Sequence, residues 1–237
     1  MTPKDGTSTA ALPPPKTRAR CAPIGLEEAV ALGRMLRPAE QWRLFPELRD
    51  HARYLDIETL GLALEDPITL VGISDGAYTS VLVRGRDLCP LRLAEELAGA
   101  RMLVTFNGIS FDLPRLRRAF PGLPWDLPHL DLAVAGRAVG LRGGLKAIER
   151  RLGWRRPGGE LDGAEAVRLW QAYLAGDRAA LPRLVRYCRA DVGTLHSLAE
   201  VVVSRLARES RDGAPGWLPP VEEGVCVLFP PPGARPA

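Results

Sequence analysis

Asp56-Ile57-Glu58 offers the first chemistry in this chain. Tyr54 and Leu55 ahead of it are apolar and strand-like, and a strand sends alternate side chains to one face. Asp56 and Glu58 then share a face while Ile57 points into a core. Two carboxylates at the end of a buried strand repel each other and lose hydration, which is costly unless a positive charge joins them. A hard divalent cation suits them, because Mg²⁺ takes oxygen ligands and keeps positions open for phosphate oxygens. A solvated loop carrying two acids is the plainer account, so the remaining acids of the chain decide between the two.

Asp112 follows the apolar run Met102-Leu103-Val104-Thr105-Phe106 and stands where a helix N-cap would, with Pro114 in the first helical turn. Capping and a site role are compatible there, since a strand-to-helix corner beside a central strand is a usual place for a site in open α/β sheets. In the long last helix, Leu184, Cys188, Leu195, Leu198 and Val202 recur at three- and four-residue steps, and Asp191 falls on the same stripe. Burying it unpaired would cost on the order of several kcal/mol. Tyr187 lies one turn earlier on that face, either as a structural hydrogen-bond partner or as a phenol beside a metal.

Taken in order, Asp56-x-Glu58, Asn107-x-x-x-Phe111-Asp112 and Tyr187-x-x-x-Asp191 resemble the three motifs of the DEDD superfamily of 3′–5′ exonucleases, over about residues 51–207. Tyr187, with Arg186 where the histidine branch carries its histidine, makes the chain similar to the tyrosine (DEDDy) branch. Phe106-Asn107-Gly108-x-Ser110-Phe111-Asp112, His129-Leu130-Asp131-Leu132, Gly144-Leu145-Lys146 and the Trp170 region resemble the YprB-like ribonuclease H-like domain. The resemblance implies an α/β, ribonuclease H-like fold with a mixed central sheet of about five strands flanked by helices. It implies that Asp56, Glu58, Asp112 and Asp191 hold two divalent ions, Mg²⁺ or Mn²⁺, with Tyr187 orienting water. The reaction implied is phosphodiester hydrolysis at single-stranded 3′ ends. A nucleic-acid-binding or docking module that keeps the fold without the chemistry is the alternative.

Thr59, Asn107, Phe111 and Lys146 are the candidate strand contacts, with Lys146 foremost for phosphate. Arg137, Arg142, Lys146, Arg150, Arg151, Arg155 and Arg156, broken only by Glu149, read as a solvated helix face or a backbone track. Arg115, Arg117 and Arg118 admit the same two accounts. Trp154 and Trp170 fall on core stripes, whereas Trp125, between prolines, is a loop anchor or a base-stacking platform. His129 and His196 match no motif and read as ordinary residues. Asp131 lies outside the four acids, as a cap or as a support for them.

The elements that position these residues follow from pattern. Strands are predicted at 53–57, 68–74, 78–83 and 102–106, with Asp75-Gly76 as a hairpin turn. Helices are predicted at 27–36, 42–48, 90–99, 113–120, 130–138, 144–152, 162–175 and 179–207, an α/β order. Residues 1–50 divide into a proline-rich disordered leader and a short helical arm, 51–207 form the domain, and 208–237 are a Pro/Gly-rich tail. Those proline-rich ends suit a protein partner, with Val225–Phe229 as a partner strand or as packing on the chain's own domain.

At 237 residues and 46% hydrophobic content, the chain supports one core of ordinary domain size. Its net charge of +4 is carried almost wholly by arginine, which suits bidentate phosphate contacts better than lysine does. Cys21, Cys89, Cys188 and Cys226 lie far apart, which argues against a zinc knuckle or a disulfide framework and points to a reducing cytoplasm. The first twenty residues lack an apolar signal core, and no apolar run reaches membrane-spanning length, so no membrane partner is expected.

Overall fold

The computed structural model of the chain describes residues 24–155 and 162–210. The predicted leader, Arg156 and the candidate partner strand Val225–Phe229 lie outside them. Strands β1 (Ala52–Thr59), β2 (Ile68–Ser74), β3 (Thr79–Val83), β4 (Met102–Thr105) and β5 (His129–Asp131) form one mixed sheet in the order β3-β2-β1-β4-β5. β1, β2 and β3 are antiparallel neighbours, while β4 runs parallel to β1 and β5 parallel to β4. The β2–β3 turn is the expected Asp75-Gly76 hairpin. Gly76 takes a φ of 95°, and the Asp75 carboxylate accepts from the N–H groups of Ala77 and Tyr78.

Helices α1 (Leu26–Met35) and α2 (Phe45–Leu48) precede the sheet, α3 (Pro90–Glu96) joins β3 to β4, and α4 (Asp112–Ala119) joins β4 to β5. After β5 come α5 (Leu132–Ala138), α6 (Leu145–Arg151), α7 (Gly163–Leu174) and α8 (Ala180–Glu209). Among the described residues, no helix is long and apolar enough to cross a membrane.

The alternation of β1 divides the core in two. Ala52 and Tyr54 pack with Val192, Leu195, Leu198 and Val202 of α8, while Leu55 and Ile57 pack with Leu93 of α3 and Leu116 of α4. Asp56 and Glu58 continue the face that α8 covers. Gly72 stands opposite Asp56 on β2. A Cβ there would lie 2.6 Å from Val192 Cγ2 and 2.9 Å from Cys188 Sγ, so its absence is what lets α8 approach the strand so closely.

One expectation is corrected. Residues 130 and 131, predicted to open a helix at 130–138, form a strand with His129, because residues 129–131 pair with Leu103–Thr105 and the helix is capped only at Asp131. Of the two accounts of Trp125, the loop anchor holds: it is buried, and its Nε1 donates to the Phe120 carbonyl at 2.8 Å. Trp170 is buried and Trp154 packs against the core, as their stripes require.

Candidate active site

The site is built where β1 runs on past β4, whose pairing ends at Tyr54–Val104. Asp56 there is half-buried and Glu58 is buried. The β1–β2 register shifts between Glu58 and Thr59, an irregularity of the kind that re-aims side chains at strand ends. Asp112 does not occupy the capping position predicted for it. Phe111 is the N-cap residue, and Asp112 lies inside the first turn of α4, where its carboxylate accepts from the Ile57 N–H at 3.2 Å. A helix residue thus ties itself to β1 beyond the end of β4.

The loop that aims Asp112 is held from several sides. Asn107 adopts a left-handed φ of 66°, which asparagine tolerates better than most residues. Gly108 donates to Thr105 Oγ1 at 3.0 Å, and a Cβ on it would lie 2.1 Å from that oxygen. The buried Asp131 carboxylate accepts from Asn107 N at 2.9 Å and Ile109 N at 3.0 Å while capping α5 through Ala133 and Val134. Both readings of Asp131, cap and support, therefore apply. Arg115 is buried, with its guanidinium 3.8 Å from the Phe111 ring centroid and donating to the carbonyls of Phe111, Leu62 and Ala63. Arg117 donates to the Trp125 carbonyl, and Arg118 pairs with Glu65.

From the other side α8 brings Asp191, which is 7% exposed, together with Tyr187 and the fully buried Cys188. Among the described residues, the carboxylates of Asp56 and Glu58 and the Cys188 thiol hold their ligand atoms within 4.8 Å of one another. The charges act on each other across this small space. Burial pushes the Glu58 carboxyl up to about 8, with repulsion from Asp191 and Asp112 adding to it and Lys146 opposing it. Burial also raises Asp112 to about 7, against the N–H groups of Asp112 itself and Ile57 that favour its charged form. Tyr187 is held well above the usual phenol range, first by burial and then by Asp191, Glu58 and Asp56. Its phenol is therefore a hydrogen-bond donor at any ordinary pH and not a base.

The structure brings Asp56, Glu58, Asp112, Tyr187 and Asp191 into one cluster. Lys146 joins it, its Nζ donating to the Tyr187 hydroxyl at 2.8 Å. Asp56, Asn107, Phe111, Asp112, Arg137 and Gly144 are among the lining of an adjoining cleft of about 380 Å³. Thr59 donates its hydroxyl to the Gly61 carbonyl at 2.6 Å, and Asn107 accepts from Ser110 Oγ at 2.9 Å. His129 is half-buried and lowered to about 4 by desolvation, 2.8 Å from Thr105 Oγ1, while His196 packs edge-on against Tyr54. Arg142, Arg150, Arg151 and Arg155 are exposed.

Cys188 is the member that sequence reasoning left in the core. Its spacing of three from Asp191 was the available signal. Burial and the neighbouring acids raise its thiol, so it stays protonated beside the carboxylates. Oxygen donors in a tight group, two of them holding protons more strongly than ordinary acids, fit a hard divalent cation, whereas a neutral thiol does not serve as its ligand.

No curated protein matches the chain. A family model described as the RNase H superfamily matches residues 53–203, well over half of the 237. Nucleases with such a domain use divalent metals, in keeping with the donor set. That match runs from β1 through most of α8 and so takes in the whole cluster; on it, and on the ribonuclease H-like mixed sheet, the chain belongs to the RNase H superfamily, whose domain implies nucleic-acid binding and nuclease-type activity.

Proposed function

We propose that this protein is a metal-dependent 3′–5′ exonuclease of the tyrosine DEDD branch, similar to the YprB-like domain, that shortens single-stranded nucleic acid. One observation carries the reading: four acids and a tyrosine, drawn from three segments far apart in sequence, meet beside one cleft. Asp56, Glu58, Asp112 and Asp191 would hold two ions, Mg²⁺ or Mn²⁺. Bound there, such ions supply an activated water, neutralisation of the phosphoryl oxygens and stabilisation of the leaving 3′ oxygen.

The chain's own residues do the remaining work. Tyr187, always protonated, would orient a water for attack through its hydroxyl oxygen. Asn107 and Phe111 at the cleft position the terminal nucleotides, and Arg137 at the same cleft meets the backbone phosphates. The exposed arginines of α6 and its flanks extend that track, and binding should weaken as salt rises. The direction of attack rests on the motif resemblance.

The test uses purified protein and 5′-labelled single strands of RNA and of DNA. With Mg²⁺ or Mn²⁺, the expected product is a ladder shortening from the 3′ end, and chelator stops it. Full activity after exhaustive EDTA treatment would sink the two-ion mechanism, and binding without cleavage would leave a docking module. In the same assay Tyr187→Phe should lower turnover roughly 10- to 100-fold, the usual effect of removing a group that orients a reacting partner. Metal and strand affinity should stay near parental. An unchanged rate would make Tyr187 a packing residue.

A further inference from the structure

Lys146 is the only lysine among the described residues; every other strong base there is an arginine. It sits in the first turn of α6, half-buried, and reaches across to α8. Its Nζ lies 2.8 Å from the Tyr187 hydroxyl and 4.5 Å from the centroid of the Tyr187 ring. An ammonium has three donors and no acceptor, so Tyr187 accepts this bond on a lone pair. The phenol's single hydrogen is then left for another acceptor, and Asp191 is its hydrogen-bond partner. The Lys146 charge also reaches Glu58, where it opposes the repulsion of Asp191 and Asp112.

We propose that Lys146 is a positioning residue and an internal counter-cation, which fixes the direction of the Tyr187 hydroxyl and offsets the clustered acids before metal binds. This rests on the exonuclease reading and replaces the phosphate contact that sequence suggests for the residue. The two roles lead to opposite results. A counter-cation competes with a divalent ion for the same carboxylates, so its loss strengthens metal binding, weakens the metal-free protein and frees Tyr187 to turn away. A phosphate contact acts on the strand alone, so its loss raises KM and flattens the salt dependence, leaving metal affinity untouched.

Lys146→Met keeps most of the stem and removes the charge; Lys146→Gln removes the charge with a smaller change in surface and decides the matter if the first variant does not fold. The measurements are Mn²⁺ affinity by calorimetry, melting of chelator-treated protein, and kcat and KM on a labelled single strand. Expected for Lys146→Met are a Mn²⁺ Kd tighter by roughly tenfold, a chelated form that melts below the parent with the gap closing as Mn²⁺ is added, and a kcat lower by roughly 10- to 100-fold at near-parental KM. Lys146→Gln should match it in metal affinity. An unchanged or weaker Mn²⁺ affinity overturns the proposal, and so does a retained kcat with a raised KM. A parent that binds Mn²⁺ but cleaves neither RNA nor DNA refutes the exonuclease reading, while the affinity and melting arms still judge the counter-cation; a parent that binds no Mn²⁺ removes both.

Discussion

Asp191→Asn is expected to abolish strand hydrolysis while leaving the metal-free protein as heat-stable as the parent, or more so. Asp191 is buried on α8 and its charge raises Glu58, so in the absence of metal it is a source of repulsion. Asparagine keeps the volume and most of the hydrogen-bonding capacity, and Tyr187 can still donate to its side-chain oxygen. Removing the charge relieves the acids and removes a ligand at once. If the ions contribute several kcal/mol of transition-state stabilisation, turnover should fall on the order of a thousandfold or more. A four-way melt, parent and variant with and without Mg²⁺, separates this from a structural role. A ligand stabilises only the state that binds it, about 2.7 kcal/mol at a hundred times Kd, so Mg²⁺ should raise the parent's Tm more than the variant's. Equal lowering of Tm in both conditions, with hydrolysis intact, would remove Asp191 from the site.

The second large effect is on stability as pH changes. Glu58 and Asp112, at about 8 and about 7, hold protons more tightly in the folded chain than carboxyls do when unfolded. Their contribution is fully present below the ordinary carboxylate range and is lost as pH rises through about 7 and then 8. His129, lowered to about 4, works in the opposite sense: its contribution is lost as pH falls from about 6.5, where the unfolded histidine takes a proton. The trends oppose each other below pH 6.5 and only the decline remains above it. Cys188 and Tyr187, both raised, add to the fall only when their unfolded forms ionise, near 9 and 10. Chelator-treated protein should therefore be less stable at pH 8 than at pH 6.5, on the order of 1–2 kcal/mol, seen as a Tm lower by a few degrees. Metal binding displaces those protons, so the Tm gain from Mg²⁺ should be larger at pH 8. Equal chelated melting at the two pH values, or an equal Mg²⁺ gain, would show that the carboxyls are not the strained group described above.

Much of this arrangement was readable in the sequence because it is local. Alternation along Tyr54–Glu58 puts both acids on one face whatever lies above them, and a four-residue step puts Tyr187 over Asp191 in any helix. The apolar runs and their punctuation likewise delimit β1 to β4 and most of the helices within a few residues. Beyond that reach lay everything that depends on which element passes over which. β5 exists only because β4 lies beside it. Asp112 turns from a cap into a partner of Ile57 because β1 outlasts β4. Cys188 enters the cluster because Gly72 lets α8 settle close to β2, and Lys146 meets a tyrosine 41 positions away because α6 is set against α8. Periodicity and backbone preference act over a few residues, whereas these contacts are fixed by strand register and close packing between distant segments, which only the folded chain decides.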